Sequence, residues 1–220
     1  MGHQPHLFLP PPWSSDSLSL RRDQEHHLLR VLRLSPGAPV TYTDGAGRFG
    51  RGVLAAGRVE RGAEGPVDPP PLRLTVAVAP PGGRDRVRFL VEKLAELEVA
   101  EMAWLRSRFS QSAPPPAEKS RAWAIAALEQ SRGSHLMSIG DRPLRLADLA
   151  PPLLVTDPTG GDWPSPLPPS LTIAIGPEGG WADDDMLAGI KTVALGRRVL
   201  RVETAALVAT VQVFSQISNH

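Results

Sequence analysis

From residue 72 to residue 217 the chain alternates short apolar runs with helix-periodic stretches, and this alternation limits the possible folds more than any other feature. Residues 72–79, 102–105, 153–156, 171–175 and 193–195 read as strands, and 84–98, 117–132, 183–190 and 203–217 as helices. The strands carry few polar residues, as expected of a sheet covered on both faces. In the first helix Val87, Leu90, Val91, Leu94 and Leu97 fall on one face. The pattern predicts an α/β domain with a parallel sheet. In such sheets a ligand binds outside the carboxyl ends of the strands.

The preceding part reads differently. Residues 39–43 alternate, Asp44-Gly45-Ala46-Gly47 is a turn signal, and 48–56 returns, which together predict a hairpin. Leu28, Leu29 and Leu32 sit at helical spacing within 25–33. A small β-barrel with one short helix fits this segment. The stiff run Gly65-Pro66-Val67-Asp68-Pro69-Pro70-Pro71 reads as a linker, giving domains 1–68 and 72–220.

The absence of cysteine excludes disulfides, a thiolate nucleophile and a thiolate metal site. The histidines show no metal spacing, so no metal is expected. No apolar stretch is long enough to span a membrane, and the N-terminus lacks the pattern of a signal peptide, so a cytoplasmic location and no membrane partner are expected. Net charge is +1, so a nucleic-acid partner would need a local basic surface. Lys191, Arg197, Arg198 and Arg201 form one such group, and Arg21, Arg22, Arg30 and Arg33 a second. The second group is the weaker, and ordinary solvated surface is the readier reading of both.

Two segments carry candidate chemistry. In Ile173-Ala174-Ile175-Gly176-Pro177-Glu178-Gly179-Gly180-Trp181 an apolar strand ends in a glycine-rich loop that should open a helix. A phosphate cradle is the generic reading. Glu178, Asp183, Asp184 and Asp185 oppose it, because they would repel a phosphate, and no P-loop lysine follows. A neutral or cationic ligand, or a tight turn with no ligand, remains. In the second segment, residues 195–206, Leu195-Gly196 heads a basic loop that leads into a helix near Glu203. Gly196 would admit a ligand close to the backbone. Arg201 could stabilise developing negative charge. Glu203 is open to two readings, a base or an acid suited to a helix N-terminus.

Together the two segments closely resemble the RsmE-type ribosomal RNA (uracil-N3) methyltransferases of the SPOUT superfamily. The resemblance extends to His27-Leu28-Leu29-Arg30-Val31-Leu32-Arg33 with Gly37 and Asp44-Gly45, to Lys93-Leu94-Ala95-Glu96-Leu97, and to Ala127-Leu128-Glu129-Gln130-Ser131. It implies a PUA-like RNA-binding barrel followed by a trefoil-knotted α/β domain, working as a homodimer on uridine N3 of 16S ribosomal RNA in the small subunit. It implies S-adenosyl-L-methionine (SAM) as cofactor, held by Val155, Thr156, Gly176, Pro177, Glu178, Gly179, Gly180, Leu195, Gly196, Leu200, Arg201, Glu203 and Thr204. Arg201 and Glu203 would be catalytic. Arg21, Arg22, Arg30, Arg33, Arg108, Arg197 and Arg198 would meet RNA.

The chain departs from the family pattern at several positions. Ala95 stands for Thr, Glu98 for a helix-ending Gly, Ser107 for an acid, Ala182 for Ser, and Arg132-Gly133 for Gly-Arg. His3-Gln4-Pro5-His6 replaces an arginine-bearing start. A SAM-binding ribosome-assembly module with weak methyl transfer, or a SPOUT enzyme for another RNA, are the alternative readings.

Overall fold

The computed structural model describes residues 4–110 and 112–217, so His3 lies outside the described residues. Contacts divide the chain into two compact units, Met1–Pro69 with Ile125–Leu136, and Pro70–Ala124 with Met137–His220.

The first unit is a five-stranded mixed sheet in the order β1-β3-β4-β5-β2, formed by β1 (His6–Phe8), β2 (Ser17–Ser19), β3 (Pro39–Thr43), β4 (Arg48–Ala55) and β5 (Arg58–Pro66). The β3–β4 hairpin forms where the sequence predicts it. Asp44 closes its turn by accepting from the backbone N–H of Ala46 (2.7 Å) and Arg48 (3.0 Å), an Asx-type turn. Leu7, Leu9, Leu18, Leu28, Val40, Tyr42, Leu54 and Val59 make the core. The expected helix over 25–33 is instead a short helix α1 (Arg22–His26) running into a π-helical turn, His27–Val31. Gly65 and Pro66 belong to β5 rather than to the linker. In the same unit Glu129 accepts from the Phe8 N–H and from Gln24 Nε2, both at 2.9 Å. That tie gives Glu129 a structural role.

The second unit holds a six-stranded, wholly parallel sheet in the order β11-β9-β10-β6-β7-β8. Its strands are β6 (Arg73–Val78), β7 (Glu101–Trp104), β8 (Ser138–Ile139), β9 (Leu153–Gly161), β10 (Ser170–Ile175) and β11 (Lys191–Val193). Its helices are α2 (Arg84–Glu96), the beginning of α3 (Ala117–Ser131), and α4 (Val202–Ile217). The central strands β6 and β10 bury Leu74, Val76, Val78, Leu171, Ile173 and Ile175 almost completely, which is why both carry few polar residues. Val87, Leu90, Val91 and Leu94 of α2 are buried as their spacing predicts.

Two expectations fail here. Residues 183–190 form no helix. Asp185 accepts from the backbone N–H of Ala182 (3.3 Å) and of Arg108 (3.2 Å). Such side-chain-to-backbone bonds compete with a helix, and Gly189 follows at φ 74°. The last strand is Lys191–Val193, not 193–195. Leu195 therefore lies in the loop beyond it.

Candidate active site

Three chain segments meet at the carboxyl side of the sheet. Pairing of β9 with β10 ends at Val155–Ala174, and Thr156, Asp157 and Pro158 run on past it. The loop after β10 supplies Gly176, Pro177 and Glu178, and the loop after β11 supplies Leu195, Gly196, Arg198, Val199 and Leu200. With Ile175, Trp181, Val202 and Ala205 these residues line one cavity. Its position matches the general rule for open parallel sheets.

Local chemistry fixes the loops. Trp181 Nε1 donates to the carbonyl of Thr156 (3.0 Å), while Thr156 Oγ1 donates to the carbonyl of Ala174 (3.2 Å). The indole also passes so close to Gly176 that a Cβ there would lie 2.8 Å from its ring. Only glycine fits that position without moving Trp181. Gly196, at φ 151°, lets the chain turn away from the sheet.

Charge is organised by a residue that the sequence did not single out. Arg86, in the first turn of α2, donates Nε and Nη2 to the two carboxylate oxygens of Glu203 (2.9 and 2.7 Å). The same Nη2 reaches Glu178 Oε1 at 2.5 Å. One guanidinium thus joins the glycine-rich loop to the start of α4. Burial raises the Glu203 carboxyl, but the hydrogen bonds from Arg86, with the backbone N–H and the charges of Arg86 and Arg201, bring it below its ordinary value. Its bonds to Glu203, then to Glu178, push Arg86 upward. Nothing nearby in the sequence marks Arg86, because its partners lie 92 and 117 residues away.

Of the sequence-derived cofactor residues, Thr156, Gly176, Pro177, Glu178, Leu195, Gly196 and Leu200 line the cavity. Val155 is fully buried beneath it. Gly179, Gly180, Arg201, Glu203 and Thr204 do not line it. Glu203 is buried against Arg86, and Arg201 is exposed at the mouth of α4, its carbonyl accepting from the Ala205 N–H (2.8 Å). Trp181, Asp157, Pro158, Val199, Val202 and Ala205 are lining residues the sequence reading missed. Trp181 carried a signal, as the first large side chain after the glycines. Arg198, expected on RNA, also lines the cavity.

Among the other arginines, Arg108 is exposed, with its guanidinium 3.6 Å from Asp184. Its neighbour Phe109 is 45% exposed and packs beside Gly179. Arg197 is exposed in the loop after β11. In the first unit Arg22, Arg30 and Arg33 are exposed, whereas Arg21 is engaged by Asp23 and the Phe8 carbonyl. Among the described residues no group of three or more His, Asp or Glu could hold a metal ion, and no helix is long and apolar enough to cross a membrane.

A family model for the RNA methyltransferase domain matches residues 68–213. The ribosomal RNA small subunit methyltransferase E of Synechocystis sp. is 30% identical, with the alignment covering 90% of this chain and 72% of the relative. The chain belongs to this RNA methyltransferase family. A probable rRNA methyltransferase from Porphyromonas gingivalis has the same fold, with a TM-score of 0.84 at 29% identity, covering 98% of this chain and 100% of that one. The small subunit methyltransferase E of Neisseria gonorrhoeae, solved bound to S-adenosyl methionine, aligns at a TM-score of 0.83 and 26% identity over 97% and 98% of the two chains. The expected architecture, a SPOUT-type α/β domain after a small barrel-like β unit, is the observed one.

The cavity's chemistry fits SAM. Ile175, Trp181, Leu195, Val199, Leu200 and Val202 provide apolar surface for a nucleoside, and the lining carries carboxylates suited to a cation. No phosphate-binding set is present there.

Proposed function

We propose that this protein methylates N3 of a uridine in 16S ribosomal RNA of the small subunit, with SAM as methyl donor. The observation that carries the reading is the single cavity built by the Thr156, Gly176 and Leu195–Leu200 segments in a chain of the RNA methyltransferase family.

When bound, SAM supplies an electrophilic methyl carbon on a positively charged sulfur. Transfer of that methyl to uridine N3 would leave neutral S-adenosylhomocysteine, and the N3 proton would pass to solvent. The protein must present the base edge unpaired, align it, and stabilise the uridinate. Arg201 is our candidate for the anion, supported by its exposure at the start of α4 between lining residues Leu200 and Val202. Glu203 is suited to hold structure rather than take a proton, because Arg86 keeps it ionised and occupies both its oxygens. Arg108, Arg197 and Arg198, with Arg21, Arg22, Arg30 and Arg33 on the barrel unit, are the candidate RNA contacts.

We further propose that the protein is a cytoplasmic homodimer. Gln212 Oε1 on α4 is buried without a hydrogen-bond partner among the described residues, next to the half-exposed Val211, and Phe89 of α2 is 43% exposed. These features on two packed helices suit a subunit contact.

The test is methylation of 30S subunits from a strain lacking the activity, read by mass spectrometry for 3-methyluridine, with the protein's solution mass measured in parallel. The expected result is one 3-methyluridine per subunit, a mass of two chains, and a rate at least about 100-fold lower for Arg201→Ala. Intact SAM binding with no product would favour the assembly-module reading, and a modified ribose another RNA reaction. A mass near 23.6 kDa would exclude the dimer.

A further inference from the structure

Three charged side chains line the cavity: Glu178, Asp157 and Arg198. Glu178 is already paired with Arg86. Asp157 is not in an ion pair with any cation among the described residues, Arg198 included. Its Oδ1 accepts from the backbone N–H (2.7 Å) and the hydroxyl (2.6 Å) of Thr159. These two bonds fix the carboxylate's orientation through one oxygen, and Oδ2 has no hydrogen-bond partner among the described residues. The half-buried position of Asp157 limits screening by water.

We infer that Asp157 is the carboxylate that balances the positive charge of the cofactor's methionine portion. A fixed, unpaired anion in a largely apolar cavity attracts a cation more strongly than a neutral ligand of the same shape. The methionine portion of SAM carries a sulfonium and an α-ammonium against one α-carboxylate, a net charge of +1. S-adenosylhomocysteine keeps the ammonium and loses the sulfonium charge. 5′-Methylthioadenosine has neither. A carboxylate in this role favours the methyl donor over the spent product, which helps each turnover end with release. The inference rests on the cavity being the SAM site.

The test is calorimetric binding of these three ligands to the full-length protein and to Asp157→Asn. Asparagine keeps an oxygen for Thr159 and removes the charge. The expected result is roughly tenfold weaker SAM binding, a smaller loss for S-adenosylhomocysteine, and no change for 5′-methylthioadenosine. The salt dependence of SAM affinity should also flatten. Equal losses for all three ligands would mean that Asp157 only shapes the loop, and would overturn the inference. Unchanged binding of all three with lost methyl transfer would overturn it too, assigning Asp157 to proton transfer. If none of the three ligands bound the unmodified protein, the SAM reading of the cavity itself would fail, a result distinct from either.

Discussion

Arg86 satisfies two carboxylates with one planar guanidinium, and this is the arrangement in which arginine and lysine differ most. A lysine could offer a point charge to Glu203 or to Glu178, but not the paired geometry that holds both. Removing the side chain would leave Glu203, 8% exposed, without its partner and free the glycine-rich loop from α4. Misplacement of a site by about 1 Å can cost about 100-fold in rate. Arg86→Ala is therefore expected to lower methyl transfer by roughly 10- to 100-fold and to weaken SAM binding, with Arg86→Lys in between. Steady-state kinetics and direct SAM titration check this. Wild-type values in both for Arg86→Ala would show that the clamp is decorative. The direction of the Glu203 shift adds a pH statement. Its carboxyl sits below the ordinary 4.5, so its ionised form is complete at neutral pH and is lost only in acid below that value. Any activity change between pH 6 and 9 must come from another group.

Helix α2 illustrates what the pattern of residues can and cannot specify. Its buried face, Val87, Leu90, Val91 and Leu94, was legible from spacing, because burial of one side of a helix repeats along the sequence. The β3–β4 hairpin was legible for a similar reason, since the Asp44-Gly45-Ala46-Gly47 turn is a local bargain between one carboxylate and two backbone N–H groups. The stretch 183–190 forms no helix although its three aspartates suit a helix N-terminus, because the Asp185 carboxylate is taken by the backbone N–H groups of Ala182 and of Arg108, which is remote in sequence. The partners of Arg86, and the bond from Trp181 to Thr156, depend on loops that converge from distant parts of the chain. The trefoil knot implied by the resemblance is likewise a property of the chain's path rather than of any segment. The end of α2 yields a prediction of its own. The Val99 N–H bonds to Leu94 O and the Glu98 N–H to Ala95 O, both at 3.1 Å, which is a Schellman ending with Glu98 at the left-handed position, φ 58°. A non-glycine residue costs about 1–2 kcal/mol there, and glycine's extra chain entropy returns about 0.5–1 kcal/mol of that. Glu98→Gly should therefore stabilise the protein by roughly 0.5–1 kcal/mol, raising Tm by about 1–4 °C. A lower Tm by calorimetry would refute the strain argument. Arg132, at φ 61° where α3 ends, repeats the arrangement, with the Gly133 N–H on Leu128 O.

Across the whole molecule, the two compact units should respond differently to mild acid, because the barrel unit holds His6, a buried histidine that folding keeps neutral. His6 is 5% exposed on β1, with Nδ1 2.8 Å from Thr41 Oγ1 on β3 and Nε2 2.9 Å from the Gly133 carbonyl. Burial lowers it below 6.5, outweighing the bond to Gly133, and the charge of Arg132 adds to the effect. Folding thus favours the neutral ring. The associated stability is complete above about pH 6.5 and declines as pH falls toward the lower folded value, since the unfolded chain takes up the proton first. Glu64 behaves as a second, more acidic group. Arg61 grips it at 2.7 and 2.9 Å, and Tyr42 donates its hydroxyl at 2.8 Å. The bonds from Arg61 outweigh burial and, with Tyr42 and Arg48, hold its carboxyl at about 2, while burial and Glu64 push the Tyr42 phenol up to about 12. The Glu64 contribution is present above pH 4.5 and is lost as pH falls toward 2. The barrel unit should therefore weaken in two separate steps, the first beginning under mildly acidic conditions where its carboxylates are still ionised. Amide hydrogen exchange at Val40 and Tyr42 on β3, corrected for intrinsic rates, reads that unit's stability directly. Protection should fall between pH 7.5 and 5.5 in the unmodified protein, and His6→Gln should abolish this first fall while leaving the loss below pH 4.5. Equal protection at pH 7.5 and 5.5 in the unmodified protein would remove His6 from the account, and a first step that survived in His6→Gln would assign it to a different group.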